Sequence, residues 1–414
     1  MEEKEGKKEK KVNKTKEEKK IAEIWENFFN ISPIYRNDDF LLLGGDSILG
    51  VKILSRLNSI FSKNIEANTL FEYSQLKDFA KLFSENKDKE INKDILEKPL
   101  SNKDRNGKIG FTSLLDDQNL IWIFEQINPG TSLYHIPLVY NINGRLDFDL
   151  FKQSIKIIRK RHIALRSLFL IQKDITIQKQ EEDFYDDSHE ENYYNIDHIE
   201  AIPDLENRWI LDKIKEKFDL EKGPVFRTNL LVTGESSCVL CFTFHHIIFD
   251  GWSAGLFVKE LSKIYTSLVK GVPPELLEFE FSYHDYVSAK TSEVNHYWKT
   301  ARVFFESYLK NLPQNYNRSS LDLSDFSGAC FPVKIDANTY SKIKNLALEN
   351  RTTSFSVLLA LFQILLFAET GENDQITGIA YAGRDRVETE PIIGFLMNTL
   401  VVRNVIKTDL SLNS

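Results

Sequence analysis

One stretch of the sequence, FTFHHIIFDGWS at residues 242–253, combines residues that could carry acid–base chemistry. Its apolar run ends at His245 and His246, and three residues separate His246 from Asp250. Three interpretations compete: a hydrogen-bonded pair at a strand end, a metal site, or one histidine for proton transfer and one for structure. Adjacent strand residues point to opposite faces and rarely share one metal, and no Cys or Glu stands nearby at ligand spacing. The pattern therefore predicts that only one histidine faces a given cleft.

A second stretch, LLLGGDSILG at residues 41–50, places a serine where a helix should begin. Free backbone N–H groups and the helix dipole favour negative charge at such a position, so a phosphodiester on Ser47 would be stabilised. The preceding glycines keep bulk away, so a modifying enzyme can reach the hydroxyl. On spacing alone, a plain N-cap at Asp46 or Ser47 is the simpler interpretation.

Bulk properties narrow the class of protein. A chain of 414 residues with 42% hydrophobic residues suggests two or three domains with real cores. The net charge of -8 argues against a general nucleic-acid binder. Three cysteines do not make a disulfide framework, the first residues are charged, and no long uncharged apolar run occurs. We therefore expect a cytoplasmic protein with no nucleic-acid or membrane partner.

Composition divides the chain into segments. Residues 1–20 are charged and predict a disordered arm, residues 21–84 show helical periodicity, and residues 85–108 are polar and read as a linker. From residue 109 onward, strand-like and helix-like segments alternate, which predicts a mixed α/β region. We predict strands at Tyr134–Ile142, Ser237–Phe244, Phe331–Ile335 and Gln375–Tyr381, helices at Phe148–His162, Ala254–Tyr265 and near Tyr340–Phe367, and a solvated acidic loop at residues 181–200.

Residues 21–84 resemble an acyl or peptidyl carrier domain over their whole length. The family's attachment motif, Gly-Gly-(Asp/His)-Ser-(Ile/Leu), is matched by Gly44-Gly45-Asp46-Ser47-Ile48. The resemblance implies a small all-α, four-helix-type bundle in which Ser47 carries 4′-phosphopantetheine, with Gly45 and Asp46 beside the attachment point. Carriers with Asp at this position often serve epimerases, which makes a D-configured donor a point to test.

The rest of the chain resembles the condensation domains of nonribosomal peptide synthetases. The HHxxxDG signature starts at His245, and four further motifs occur in the family's order. In the opening motif Leu120 replaces the usual Arg, and in the RHExLRTxF motif Ile163 replaces Glu. The motif residues are Gln118 and Trp122, residues 161–169, Tyr283 with Asp285 and Tyr286, and residues 393–403.

The resemblance implies a chloramphenicol-acetyltransferase-like α/β (α+β) domain with lobes at 109–275 and 276–414 and a tunnel between them. It implies that this domain forms an amide between a donor thioester on the carrier and an acceptor amine. No metal ion is implied; the partners would be a phosphopantetheinyl transferase, an adenylation domain that loads the carrier, and a downstream acceptor carrier. The implied roles are catalysis by His246, scaffolding by His245, bracing by Asp250 through Arg384 or Arg403, donor entry at Gly251, and a site-facing Asn398.

Alternatives remain at this point. An epimerase shares the fold, but YAGRDR at residues 381–386 lacks the epimerase Glu-Gly-His-Gly-Arg motif. A cyclising relative would have Asp for the first histidine, whereas an ester-forming relative stays open. The sequence stops soon after the motif at residues 393–403, so we expect a truncated second lobe, which leaves a non-catalytic carrier and docking scaffold as another hypothesis. Cys238 and Cys241 form a C-x-x-C in an apolar run, which favours buried core cysteines over a redox or metal site.

Overall fold

The computed structural model describes most of the chain. Asp46 and the predicted linker lie outside the described residues. The described residues are 14–45, 47–61, 63, 65, 69–84, 112–172, 175–180, 194–198, 203–279, 281–312, 328 and 330–407.

The N-terminal unit is helical, as its apolar periodicity predicts. Helix α1 begins at Lys16, so its first five residues fall within the predicted disordered arm. The Thr15 side chain accepts a hydrogen bond from the Glu18 backbone, and the Glu18 carboxylate accepts one from the Thr15 backbone. This capping box, together with the ion pair of Glu18 and Arg36 at 2.9 Å, extends the helix. The helices are α1 (Lys16–Phe29), α2 (Ser47–Phe61), α3 (Thr69–Glu72) and α4 (Leu76–Ser84).

Aromatic side chains from different helices fill the core of this unit. Trp25 of α1 is fully buried, and its ring lies 5.7 Å from Phe40 and 6.3 Å from Phe79, centroid to centroid. Phe40 belongs to the loop just before α2, so the core packing also fixes the position of that loop. The core therefore also fixes the start of the helix at Ser47.

Two sheets form the second unit together with their helices. The elements are β1 (Thr112–Ser113), α5 (Asp116–Ile127), β2 (His135–Asn143), α6 (Phe148–Arg161), β3 (Ser167–Gln172), β4 (Ile175–Gln180), β5 (Tyr194–His198), α7 (Pro203–Lys215), β6 (Phe226–Gly234), β7 (Ser237–His245) and α8 (Gly251–Val269). A four-stranded sheet in the order β2-β7-β6-β5 lies at the centre, and a three-stranded sheet has the order β1-β4-β3. Strands β2, β7 and β6 are antiparallel, and β5 pairs with β6 in parallel. Strand β5 lies within the predicted acidic loop.

Helices α6 and α8 pack on the central sheet and bury its apolar face. Phe151 of α6 and Phe257 of α8 both contact Phe242 of β7, with ring centroids 6.4 and 5.0 Å away. Because β7 is buried along nearly its whole length, its last residues are held rigidly. This rigidity matters for the site, which starts where β7 ends.

The third part of the described chain differs from expectation in two places. Residues 331–335 lie outside any strand, although Phe331, Val333 and Ile335 alternate with polar or small residues as strands do. The long helix predicted near Tyr340–Phe367 is two helices, because Arg351 has a φ of +50° and Thr353 caps a new helix. The elements are α9 (Tyr283–Tyr308), α10 (Ala337–Glu349), α11 (Ser354–Thr370), β8 (Asp374–Tyr381) and β9 (Asn398–Val405), with β8 and β9 antiparallel.

Across the described ranges, no single helix has the length and apolar composition needed to cross a membrane. Helices α10 and α11, joined by a bend of 106°, meet that test only as a pair and only on length and composition.

Candidate functional site

Strand β7 carries the two histidines to the edge of the central sheet. His245 is its last residue, and His246 opens a 3₁₀ turn that runs to Ile248. The backbone N–H of His246 donates to the Tyr134 carbonyl at 2.8 Å, which ties the turn to the start of β2. The sheet therefore fixes both histidine backbones while the turn separates their side chains.

The His245 side chain points into the protein. It is 1% exposed, and its Nδ1 accepts a hydrogen bond from the Ile247 backbone N–H at 3.2 Å. The neutral ring therefore carries its proton on Nε2, which lies 3.4 Å from the carboxylate of buried Glu125. Burial lowers the pKa of His245, although the hydrogen bond with Glu125 opposes this shift. A buried, neutral ring is compatible with a scaffold role for His245, which stays a prediction.

The His246 side chain has the opposite arrangement. Its Nδ1 lies 2.7 Å from the carbonyl oxygen of Phe249, and a carbonyl can only accept, so Nδ1 carries the proton. The Nε2 atom of the neutral ring then has a free lone pair. The ring is partly buried and packs edge-to-face on Phe395, with centroids 5.3 Å apart. His246 is therefore oriented as a proton acceptor with a defined tautomer.

Asp250 joins three segments through a buried network. Its carboxylate accepts two hydrogen bonds from Arg384, at 2.7 and 3.1 Å, and both side chains are 1% exposed. It also caps α8 by accepting from the backbone and the hydroxyl of Ser253. The backbone N–H groups of Leu396 and Met397 donate to it as well. Asp250 thus connects the histidine turn to the segment that carries Phe395.

The choice between two arginines as the partner of Asp250 is settled by these contacts. Arg384 is the partner. Arg403 instead pairs with Asp374 at 2.5 Å and donates to the Tyr308 carbonyl. Arg403 therefore holds β9 to β8 and α9, away from Asp250.

A buried glutamine gives further support to the histidine turn. Gln118 is fully buried, and its amide donates to the Ile247 carbonyl at 2.8 Å and to the Tyr283 hydroxyl at 2.9 Å. The Tyr283 hydroxyl in turn donates to the Phe395 carbonyl at 3.4 Å. Helices α5 and α9 therefore brace both segments that flank His246.

Two further predicted site residues belong to this unit. Gly251 follows the histidine turn in sequence, and Asn398 follows the segment that carries Phe395. Gly251 begins α8 and is exposed, and a Cβ added there would meet no atom within 4 Å. Asn398 begins β9 and is also exposed, and its side-chain oxygen accepts from the Thr399 backbone at 2.7 Å. Among the contacts of the described residues, none joins Asn398 to His246. A site-facing role for Asn398 stays a prediction.

In the helical unit, the predicted attachment segment forms a tight turn before α2. Gly44 has a φ of +98°, a left-handed conformation that favours glycine. A Cβ on Gly45 would come within 2.3 Å of the Phe40 ring. Ser47 is the first residue of α2. Asp46 lies outside the described residues, so its predicted place beside the attachment point stays a prediction.

The described residues contain no group of three or more His, Cys, Asp or Glu side chains placed to hold a metal ion. Cys238 and Cys241 are free and buried in β7. Burial raises the pKa of both thiols. Both cysteines belong to the packing of the sheet, as the apolar run predicted.

Glu125 is one functional candidate that sequence reasoning missed. It lies on the same face of α5 as Gln118 and Trp122, and all three are buried. The spacing i, i+4, i+7 was present in the sequence and marks one helix face. A carboxylate on an apolar helix face needs a partner, and that requirement could have pointed to it.

Buried histidines predict a loss of stability in mild acid. Burial lowers the pKa of His135, His162 and His245. Below about pH 6.5 the unfolded chain binds protons on these rings while the folded chain resists protonation, so the free energy of unfolding falls as pH decreases. Asp385 and Glu390, whose pKa values are raised by desolvation, act in the opposite direction.

The variant His245→Asn isolates one of these contributions. We expect its loss of stability between about pH 7.5 and about pH 5.5 to be smaller than that of the wild type. Urea unfolding followed by circular dichroism at both pH values measures the difference. An equal or larger loss in the variant would contradict a buried, neutral His245.

Two family models match this chain, and they divide it where the structure does. Residues 108–414 match the family model described as a condensation domain, and residues 19–83 match the model described as a phosphopantetheine attachment site. A component of the linear gramicidin synthase from Brevibacillus parabrevis is 31% identical over 404 residues, which cover 94% of this chain and 7% of that protein. Surfactin synthase subunit 1 from Bacillus subtilis (strain 168) is 28% identical, over 94% of this chain and 10% of that protein. The chain thus spans a small fraction of the length of these relatives.

Solved structures share the fold. The X-domain from teicoplanin biosynthesis aligns with a TM-score of 0.66 at 18% identity, over 76% of this chain and 70% of that one. The first condensation domain of the calcium-dependent antibiotic synthetase, in complex with substrate analogue 2a, aligns with a TM-score of 0.62 at 16% identity, over 73% and 71%. The predicted fold class, a helical carrier unit followed by an α/β condensation domain, is confirmed.

Proposed function

Because the chain belongs to the condensation-domain family and carries a phosphopantetheine attachment domain ahead of it, as its nonribosomal peptide synthetase relatives do, we propose that it forms an amide between a donor acyl group held at Ser47 and an acceptor amine. The catalytic residue in this proposal is His246. His245 is its scaffold, Asp250 its brace, and Gly251 and Asn398 border the site.

The observation that carries this proposal is the hydrogen bond between His246 Nδ1 and the Phe249 carbonyl at 2.7 Å. It leaves Nε2 unprotonated in the neutral ring. An α-amino group has a pKa of about 8 and must lose a proton to act as a nucleophile. A fixed Nε2 lone pair is suited to accept a hydrogen bond and then the proton from that amine.

Asp250 and its partners position the His246 ring. Asp250 is fully engaged with Arg384, Ser253 and two backbone N–H groups, so it does not bind His246 directly. Its role is to hold the segment of Phe395 against the imidazole, which keeps the ring in one orientation. Holding reactants in a fixed geometry replaces a bimolecular encounter and supplies much of the rate.

The described residues around Ser47 fit a phosphopantetheine group. The Gly44 turn and the close contact of Gly45 with Phe40 bring the chain directly into α2 at Ser47. The free N–H groups of this helix start favour the negative phosphodiester. When attached, the group supplies the thioester whose carbon–sulfur bond breaks as the amide forms.

Partners follow from this role. Attachment requires a phosphopantetheinyl transferase, loading requires an adenylation domain, and the acceptor amine arrives on a downstream carrier. The reducing cytoplasm, where the free Cys238, Cys241 and Cys330 stay reduced, is the compartment we propose.

The proposal is tested by mass spectrometry of the whole chain. After incubation with acyl-coenzyme A and a phosphopantetheinyl transferase, we expect a mass gain of one acyl-phosphopantetheine in the wild type and no gain in Ser47→Ala. Adding a panel of aminoacyl thioesters of N-acetylcysteamine as acceptors should then remove the acyl mass and yield an amide product. A full mass gain in Ser47→Ala, or no amide with any acceptor, would refute the proposal.

A further inference from the structure

Helix α2 of the carrier lies against a short turn of the condensation domain. It contacts the 3₁₀ turn Val387–Thr389. Beside this turn, Lys52 of α2 places its ammonium nitrogen 4.1 Å from the centre of the Trp252 ring. A cation at this distance from an indole face is attracted by the negative charge of the ring face. The contact therefore has a specific chemistry.

The surface under Lys52 also carries an acid. The Trp252 indole N–H donates to the Glu390 backbone carbonyl at 3.0 Å, so the two residues form one fixed unit. The Oε1 atom of Glu390 is buried and has no hydrogen-bond partner among the described residues. Burial raises the pKa of this carboxyl, and the nearby Arg56 and Lys52 oppose that shift. The Oε1 atom thus lacks a hydrogen-bond partner among the described residues, while the positive charges of Arg56 and Lys52 act on the carboxyl.

A second region lined by residues of both domains has the opposite polarity. Arg351, in the loop between α10 and α11, lines a cavity of about 750 Å³ together with carrier residues. Four charged carrier residues line it: Asp39, Glu72, Asp78 and Lys81. Because Lys81 pairs with Asp78 at 2.7 Å, Asp39 and Glu72 leave the carrier side acidic overall. The carrier therefore presents bases to an acid at one point and acids to a base at another. Complementary charges of this kind fix orientation more than they add affinity.

The first contact is continuous with the catalytic region. Gly251 precedes Trp252 and borders open space. The Trp252 ring also lies 5.5 Å from the guanidinium carbon of Arg384, the partner of Asp250. On the carrier side, Ser47 is five residues before Lys52, which is about 7–8 Å along the helix axis. Ser47 therefore lies within about two helical turns of the residue that contacts Trp252, the chain neighbour of Gly251.

We infer that the condensation domain has an orientation-selective docking surface for this chain's own carrier. The surface consists of Trp252 and Glu390 at one point and Arg351 at another. Lys52 and Arg56 of the carrier bind at the first point. The inference rests on the proposed function, since it assigns the surface from which Ser47 delivers its acyl group. Charge reversal at either side should weaken docking, and charge reversal at both should restore it. The screening of partly exposed charges predicts that added salt weakens docking too.

The test uses the full chain and compares two donors. One is the acyl group loaded on Ser47, and the other is the same acyl group as a free N-acetylcysteamine thioester, which needs no docking. In Lys52→Glu/Arg56→Glu, corrected for the loaded fraction, we expect the ratio of the two rates to fall about tenfold, equivalent to about 1.4 kcal/mol. Adding Glu390→Lys should recover part of that loss. Lys20→Glu, on the exposed face of α1, is the matched control and should leave the ratio unchanged.

A second readout does not depend on activity. Hydrogen exchange of residues 387–392 in the unloaded chain should speed up in Lys52→Glu/Arg56→Glu and in Glu390→Lys alone, and slow again in the triple variant. Because Arg56 also stacks on Phe28, Glu390→Lys alone covers the case in which the carrier variant is unstable. An unchanged rate ratio with unchanged exchange would overturn the docking surface. If the wild type reacts with neither donor, the proposed function fails while the exchange data still decide the docking.

Discussion

The His246→Ala variant is expected to form amide about 10²–10⁴-fold more slowly than the wild type while keeping its fold. The substitution removes the Nε2 atom of His246. Because Nδ1 donates its proton to the Phe249 carbonyl, Nε2 is the nitrogen of this ring that can accept a proton. The neighbouring His245 does not replace it, because its Nδ1 accepts from Ile247 and its Nε2 is directed at Glu125. The acceptor amine would then have to lose its proton to water.

The measurement uses a free acyl thioester as donor, so that carrier docking does not contribute. The matched control is His284→Gln, which removes a half-buried histidine on α9 and should keep the wild-type rate. Circular dichroism and the urea midpoint of His246→Ala should match the wild type. A rate within a few fold of the wild type would exclude His246 as the catalytic residue.

Breaking the Asp250–Arg384 pair is the second large effect that we expect. Both side chains are almost completely buried, so Asp250→Ala leaves the Arg384 guanidinium without its carboxylate in the interior. Removing one partner of such a pair costs about 3–5 kcal/mol of unfolding free energy. Activity should fall as well, because the N–H groups of Leu396 and Met397 lose the acceptor that holds the Phe395 segment beside His246.

Urea unfolding checks this prediction, with Asp374→Ala as the matched control. That change breaks the pair with Arg403, which is more exposed, and should cost clearly less. In a double-mutant cycle, the combined variant Asp250→Asn/Arg384→Met should lose less unfolding free energy than the two single variants added together. Each single variant leaves one buried charge unpaired, whereas the combined variant leaves none. Equal losses for Asp250→Ala and Asp374→Ala would contradict a bracing role for Asp250.

Local sequence patterns predicted the regular elements well where packing agreed with them. The strand predicted at Tyr134–Ile142 is His135–Asn143, and the helix predicted at Phe148–His162 is Phe148–Arg161. Both elements belong to the central sheet and its packed helices, where apolar periodicity and burial coincide. The alternation at residues 331–335 has the same appearance but forms no strand, because a strand also needs a neighbour to pair with, which a local pattern does not encode.

The site shows the same limit. The family resemblance implied that His246 is catalytic and His245 a scaffold. The two tautomers are compatible with that division, which stays a prediction. The partner of Asp250 was not predictable from the sequence, because Arg384 and Arg403 lie far from it along the chain and only the folded structure brings one of them close. Thr353, by contrast, was a readable N-cap signal that would have divided the long helix correctly.

The central claim is that His246 accepts the proton of the amine that takes up the acyl group held at Ser47. An acyl-chase experiment tests it most directly: the chain is loaded at Ser47, an acceptor amine is added, and the intact mass is followed with time. We predict that the wild type loses the acyl mass as amide product appears, and that His246→Ala retains the acyl mass over the same period. Amide formation by loaded His246→Ala at the wild-type rate would contradict the account.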